Sequence, residues 1–316
     1  MKIAVIGAGA MGASIGAYAQ QGGADVYFVD PFKEHIEAIR ENGLKIVDVA
    51  DGGKTLVCHG IKAYTDASQI GETMDYIFYQ VKGMYMDDAI EGAKCLGDDY
   101  TCHLSLQNGV GNVEKLQAVY PDERVFYGLV SAGAKMLGPG AVERNFDPQK
   151  SFISIGSAAK RISLPMQALK GVFDKTVCAF NLVEDIDPVI WKKMINNCTG
   201  NAICSVARIP LGRLYNHDDG AELSEMIEKE IREVAAAQGI TIPETPRLKG
   251  KFPPEFPHIP STAQDVIAKR RTEIDTLNGA VCRLGRKYGV PTPYNDAMVM
   301  LIRLIEDNYK YMLGVQ

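Results

Sequence analysis

A short apolar run, Lys2-Ile3-Ala4-Val5-Ile6, leads directly into Gly7-Ala8-Gly9-Ala10-Met11-Gly12, and a helical pattern over Met11–Gln20 follows. Strand, GxGxxG turn and helix in that order constrain the chain to open as the first βα unit of a parallel sheet. Gly7 makes the tight turn, Gly9 lets a pyrophosphate approach the backbone, and Gly12 lets helix and strand pack closely. Gly7, Ala8, Gly9, Ala10, Met11 and Gly12 are therefore the expected phosphate cradle, where unpaired N–H groups and the helix dipole favour negative charge. The next strand, Asp25–Val29, ends at Asp30, 18 positions past Gly12. A carboxylate there accepts hydrogen bonds from both hydroxyls of a ribose and repels a 2′-phosphate, so NAD(H) is favoured over NADP(H). Asp30 also reads as the cap of the helix that Pro31 opens, and Lys33 nearby would attract a phosphate.

The alternation continues. Tyr76–Gln80, Thr101–Leu106, Val125–Val130 and Ser151–Ile155 read as strands with little polar alternation, as expected of strands buried on both faces. Pro31–Glu41 and Tyr85–Leu96 read as the helices between them. Thr65–Ala67 and Gly138–Arg144 are turn-like, the second leading into an extra strand pair. From Asp185 the character becomes helical, over Val189–Val206, His217–Gln238, Ser261–Tyr288 and Asn295–Met312, with a five-proline loop over Thr241–His258. The expected architecture is an α/β Rossmann domain over residues 1–184, doubly wound on a mostly parallel sheet, then an all-α domain over 185–316. The active site is expected in the cleft between them. The acidic Glu184-Asp185-Ile186-Asp187-Pro188 marks the boundary and caps the first helix of the second domain.

A net charge of −5 gives no general attraction to nucleic acid or to an anionic membrane, so an anionic substrate would need local cations. No apolar run reaches the roughly 18 residues of a membrane span, and the chain starts on a strand, so neither anchor nor leader peptide is expected. Seven scattered cysteines, an odd number without a CxxC pair, fit a reducing cytoplasm. Five histidines give no HxxH or HExxH pattern and no GxSxG occurs, so neither metal catalysis nor a serine hydrolase is expected.

Two further turns follow strands at the carboxyl edge, where open α/β sheets bind ligands: Gln80-Val81-Lys82 and Gln107-Asn108-Gly109-Val110-Gly111. Each also reads plainly, Lys82 as a solvated helix-start lysine and Asn108-Gly109 as an ordinary turn. In the helical half, Lys193, Asn197 and Asn201 recur every fourth residue. On an α-helix they share one face, drifting by about 40° per step, whereas Lys192 lies about 100° away. An ammonium and two carboxamides aligned in an otherwise apolar segment point to a polar ligand opposite them.

Taken in order, GxGxxG, Val81-Lys82, QNGxG, WxKxxxNxxxN from Trp191 to Asn201, and Ser261–Asp265 running on to Arg270-Arg271-Thr272-Glu273-Ile274-Asp275 and Asn278-Gly279 resemble the ketopantoate reductases (2-dehydropantoate 2-reductases). The resemblance spans Lys2 to about Pro293. It implies hydride transfer from a reduced nicotinamide to a branched 2-oxo acid, with Lys193 as catalytic lysine and general acid and Glu273 as essential glutamate. Asn108, Asn197, Asn201 and Ser261 match positions that hold substrate or organise the site. Lys82 and Asn108 fall near the cofactor. The chemistry agrees: hydride arriving at a carbonyl carbon leaves an alkoxide, which needs a proton donor or cation at the oxygen. Without the resemblance, Glu273 reads as part of a solvated helix face with an i, i+4 pair to Lys269, and Ser261 with Gln264 reads as a capping box. The sequence departs from the family pattern at Pro210-Leu211-Gly212, where Pro-Asn-Gly is common, at Thr262-Ala263, at His258, and at Asp30, which opposes the family's usual NADP preference. These departures leave the reaction type standing and the substrate open. Pantoate formation, a relative acting catabolically on another 2-oxo or 2-hydroxy acid, and a non-catalytic dinucleotide-binding protein are the readings carried forward. The resemblance leaves a homodimer open.

Overall fold

The computed structural model describes residues 1–244, 249–250 and 252–312. Residues 245–248 and 251 of the expected proline-rich loop lie outside the described residues. The chain divides into two compact units, Met1–Gln107 with Asn112–Ile186, and Asn108–Gly111 with Asp187–Gln316. The division thus falls between Ile186 and Asp187 and assigns the short Asn108–Gly111 segment to the helical unit.

The first unit begins β1 (Lys2–Ile6), α1 (Ala10–Gln21), β2 (Asp25–Val29), α2 (Lys33–Asn42), β3 (Leu44–Asp48), β4 (Lys54–Cys58) and β5 (Lys62–Tyr64). It continues through β6 (Tyr76–Tyr79), α3 (Met86–Ala93), β7 (Cys102–Ser105), α4 (Asn112–Gln117) and β8 (Val125–Ser131). It closes with β9 (Gly133–Gly138), β10 (Ala141–Asn145), β11 (Phe152–Ser157), α5 (Leu164–Phe173) and β12 (Ala179–Leu182). Eight strands form one sheet in the order β12-β11-β8-β7-β6-β1-β2-β5, parallel throughout except for the β8–β11 pair. The chain winds outward from β1 to β2 and β5 on one side and to β6, β7 and β8 on the other. The order therefore reverses at β1, and the turn after β1 sits at the switch point where such sheets bind ligands. β6 and β7 are buried at every residue, which is why they show no polar alternation.

A second sheet, β4-β3-β10-β9, was expected only as an extra strand pair near Gly138–Arg144. That turn-like stretch is itself the β9–β10 hairpin bend with most of β10. β3 alternates buried positions with exposed or half-buried ones, the mark of a strand covered on one face only, and its polar-interrupted run lacks the continuous apolar stretch that marked the strands of the first sheet.

The second unit is helical: α6 (Asp187–Asn196), a π-helical turn (Asn197–Asn201), α7 (Ala202–Ala207), α8 (Leu211–Tyr215), α9 (Asp218–Ala236), α10 (Ser261–Ile267), α11 (Asn278–Tyr288) and α12 (Pro293–Asp307). Its core gathers Trp191, Met194, Ile195, Tyr215, Ile227, Ile231 and Ile302 among others. Two expectations are corrected. Val189–Val206 is not one α-helix but two, joined by the π turn. Ser261–Tyr288 is broken from Ala268 to Leu277, so Glu273 lies in a turn and not on a helix face. Lys269 adopts a left-handed φ of 55°, and two contacts hold the break: Arg270 Nε donates to Asp265 Oδ1 at 2.9 Å within the segment, and Thr272 N to Glu306 Oε1 at 2.8 Å outside it. No described helix is long and apolar enough to cross a membrane.

Candidate active site

In the first unit the glycine turn is built by backbone constraint. Gly7 has φ 96°, and a Cβ there would come within 2.8 Å of Val81 N. A Cβ on Gly12 would lie 2.0 Å from the Gly7 carbonyl oxygen, so only glycine lets α1 start this close to β1. A Cβ on Gly9, by contrast, would meet nothing within 4 Å, leaving its face open to a ligand. Gly9 caps α1 with no side-chain bond, and the first-turn N–H groups of Ala10, Met11 and Gly12 have no partner inside the helix. Gln80 Nε2 is buried and without a partner among the described residues, and its Cβ would be 3.1 Å from a Cβ on Gly12. Open space at Gly9, outward N–H groups and a buried donor fit the pyrophosphate of a dinucleotide.

Asp30 is half-buried at the end of β2. Its Oδ2 accepts from Ala8 N at 2.9 Å and its Oδ1 from Phe32 N at 2.9 Å, so the carboxylate is fixed between the glycine turn and the approach to α2. It does not cap α2, whose N-cap is Phe32 with no side-chain bond. A carboxylate offers about four acceptor sites, so these two bonds leave capacity for hydroxyl donors. Lys82 is half-buried and begins the turn Gly83–Tyr85 at the carboxyl end of β6. Gln107, quoted in the sequence only as part of the QNGxG turn, links the neighbouring strand ends: its Nε2 donates to Val81 O at 2.6 Å while its Oε1 accepts from Ser105 Oγ at 2.8 Å.

In the second unit, Lys193 Nζ donates to Asn108 Oδ1 at 2.7 Å. Burial pulls this ammonium down from 10.5 to about 8, against the smaller upward pull of the Glu273 carboxylate. Lys192, one position earlier, is exposed. Asn108 is placed by the loop behind it: Val110 N donates to Thr276 O at 3.2 Å, and Gly109, at φ 93°, leaves no room for a Cβ, which would lie 2.2 Å from the same oxygen. Thr276 N and Leu277 N in turn donate to Glu273 O, so one tight turn carries Glu273 and seats Asn108. Lys193, Asn108 and Glu273 thus come together.

Asn201 is buried and its Nδ2 lies 3.4 Å from Ser261 Oγ, while Asn197 is half-buried one turn earlier. A π turn holds more than four residues, so the step from Asn197 to Asn201 falls back where the α-helical step from Lys193 drifts forward. The polar line is kept straighter than a regular helix would keep it. Ser261 is the first residue of α10, behind Pro260, and Gln264 Nε2 donates to Ile259 O at 2.8 Å. The expected capping box therefore does not form. Proline as N-cap moves Ser261 inside the helix and frees its hydroxyl for Asn201.

The π turn is pinned on three sides. Asn278 Nδ2, fully buried, donates to Cys198 O at 3.1 Å and to Asn295 Oδ1 at 2.9 Å. Thr199 Oγ1 donates to Ile195 O at 2.8 Å and sits 3.0 Å from Tyr215 Oη. A Cβ on Gly200 would lie 2.8 Å from Leu211 Cδ1. Leu211, where the sequence departs from the family pattern, is therefore packing against this turn. Asn278 was quoted only as part of a motif; a lone buried amide has no periodicity to expose its role.

Comparison with known proteins gives matches to two family models: "Ketopantoate reductase PanE/ApbA" over residues 3–159 and "Ketopantoate reductase PanE/ApbA C terminal" over residues 185–306. The 2-dehydropantoate 2-reductase of Lactococcus lactis subsp. lactis is 28% identical over 317 residues, 98% of this chain and 99% of that protein. Among solved structures, the ternary structure of D-mandelate dehydrogenase with NADH and anilino(oxo)acetate superposes with a TM-score of 0.88 at 28% identity, covering 98% of this chain and all of that one. A PanE/ApbA family ketopantoate reductase from Ralstonia eutropha JMP134 gives 0.84 at 27% identity over 98% and 100% of the two chains.

Proposed function

Because the chain belongs to the ketopantoate reductase family, with both family models matched along it, we propose that it reduces 2-dehydropantoate, or a closely related branched 2-oxo acid, with NADH. Residues 1–184 hold the dinucleotide in this reading, and residues 185–316 hold and protonate the substrate. Gly7–Gly12 would hold the pyrophosphate of the dinucleotide and Asp30 a ribose, and the reduced nicotinamide would supply the hydride. The hydride adds to the ketone carbon, the carbonyl π pair moves to oxygen, and the alkoxide takes a proton from Lys193, which is left neutral. The observation that carries this is the Lys193 ammonium, drawn down to about 8 and aimed by Asn108. A general acid is most effective with a pKa near the working pH, and at neutral pH this group is mostly protonated. Glu273 sustains that charge and accepts a bond from a substrate hydroxyl. Asn197, Asn201 and Ser261 bind the carboxylate end, and Lys82 lies toward the cofactor.

The preference for NADH over NADPH rests on Asp30, whose fixed carboxylate would face a 2′-phosphate with like charge. A second reading is favoured by the mandelate dehydrogenase likeness and by apolar Leu211 where an amide is common: the substrate is an aryl 2-oxo or 2-hydroxy acid. Seven unpaired cysteines suit the reducing cytoplasm we assign, and a homodimer is the assembly we would test for. A panel of 2-oxo acids assayed with both cofactors decides among these. We expect 2-dehydropantoate with NADH to give the highest kcat/KM. Strong preference for NADPH would remove the role of Asp30, and preference for phenylglyoxylate would select the second reading.

A further inference from the structure

His35 on α2 is 1% exposed, and both its ring nitrogens are engaged. Gly140 N lies 2.9 Å from Nδ1, and Nε2 lies 2.9 Å from the carbonyl oxygen of Ala8. A backbone N–H can only donate, so Nδ1 is the acceptor and carries no proton. The ring's proton is therefore on Nε2, which donates to Ala8. Burial favours this neutral form by pulling the imidazole below 6.5, against smaller upward pulls from the hydrogen bond to the Ala8 carbonyl and from the Asp30 carboxylate. Ala8 also gives its own N–H to Asp30 Oδ2. Both polar groups of that residue are thus held by side chains, while the N–H groups of the α1 first turn have no partner inside their helix. The far end of the strut is equally fixed: Gly140 O accepts from Lys45 N at 2.9 Å, and a Cβ on Gly140 would lie 2.8 Å from Ala38 Cβ.

We propose that His35, as the neutral Nε2–H tautomer, is a positioning residue for the dinucleotide, bracing Ala8 of the glycine turn against Gly140 of the β9–β10 hairpin. The cradle is then set before the ligand arrives, which lowers the ordering cost of binding. The proposal rests on reading Gly7–Gly12 as the cradle.

The test is NADH affinity by fluorescence titration of the full-length protein as wild type, His35→Gln and His35→Leu. Glutamine offers one acceptor and one donor at the ring's reach; leucine offers neither. His35→Leu is expected to weaken NADH about tenfold or more, and His35→Gln to stay within about threefold of wild type. In both variants, kcat at saturating NADH and KM for the 2-oxo acid stay within about twofold, since His35 touches neither reacting group. A folded His35→Leu that binds NADH like wild type overturns the proposal, as does a His35→Gln as weak as leucine or a loss confined to the oxo-acid KM. Should His35→Leu not fold, ¹⁵N NMR of the wild type decides: a protonated Nε2, a bare Nδ1 and a shift on adding NADH are expected. The opposite tautomer, or indifference to NADH, overturns it. Failure of the wild type itself to bind NADH or NADPH refutes the cradle reading and the proposal with it, an outcome distinct from failure of the variants alone.

Discussion

The burial that brings Lys193 to about 8 acts on stability as well as chemistry. An unfolded lysine titrates near 10.5, so between about pH 8 and 10.5 the unfolded chain holds a proton that the folded one has released. Stability contributed by this site therefore rises with pH across that window, and below it the buried charge is a standing cost. Lys193→Met should lose the rise: its thermal midpoint, measured at pH 8 and pH 10, should gain less over that interval than that of the wild type. An unchanged gain would mean that the ammonium is not desolvated. At this scale the sequence was readable where geometry could choose. The helical angle separated Lys193 from Lys192, and the folded chain exposes Lys192 while seating Lys193 on Asn108. Glu273 was legible only through the family motif, because the charges around it look like any solvated surface. His35 gave no signal at all, since a single buried polar residue repeats nothing, and Gln107 was legible only as part of the QNGxG turn.

Among the elements, the π turn between α6 and α7 shows why periodicity misleads as well as informs. Polar residues every fourth position suggested an unbroken helix, and a wide turn preserves that spacing well enough to hide itself. What marks the turn is tertiary: Asn278 on the Cys198 carbonyl, Tyr215 beside Thr199, and Gly200 under Leu211. Asn278→Ala would strip the Cys198 carbonyl of its side-chain donor and leave Asn295 Oδ1 without this partner in a buried core, at a cost of about 1–3 kcal/mol in chemical denaturation. Because Asn197 and Asn201 depend on the turn and Lys193 precedes it, KM for the 2-oxo acid should rise by more than kcat falls. Equal loss in both would place Asn278 at the proton donor instead. The break between α10 and α11 was hidden for a similar reason: Arg270–Asp265 and Thr272–Glu306 contacts draw a helix-patterned segment into a turn.

At the scale of the molecule, each unit has its own core. The first centres on Ile3, Val5, Phe28, Phe126 and Phe173 and the second on Trp191, Tyr215 and Ile231. The strand–glycine–helix opening and the parallel alternation made the first architecture readable from the N-terminus, while the small second sheet escaped because its strands lack the continuous apolar run of strands buried on both faces. If dinucleotide binding belongs to the first unit, NADH should slow amide hydrogen exchange chiefly over Gly7–Gly12 and Asp30–His35. Protection confined to α6–α12 would reverse the assignment of roles to the units.

The central claim is that Lys193 donates the proton that completes reduction. It is tested most directly by kcat/KM for the 2-oxo acid with saturating NADH, followed from pH 6 to 10 in wild type and Lys193→Ala. The rate should be level at low pH and fall above about pH 8, approaching tenfold per unit, as the ammonium is lost. Lys193→Ala should be slower by about 10²–10⁴-fold and lack that fall, with NADH affinity little changed. A variant that keeps near-wild-type turnover, or that retains the same alkaline limb, would contradict the account.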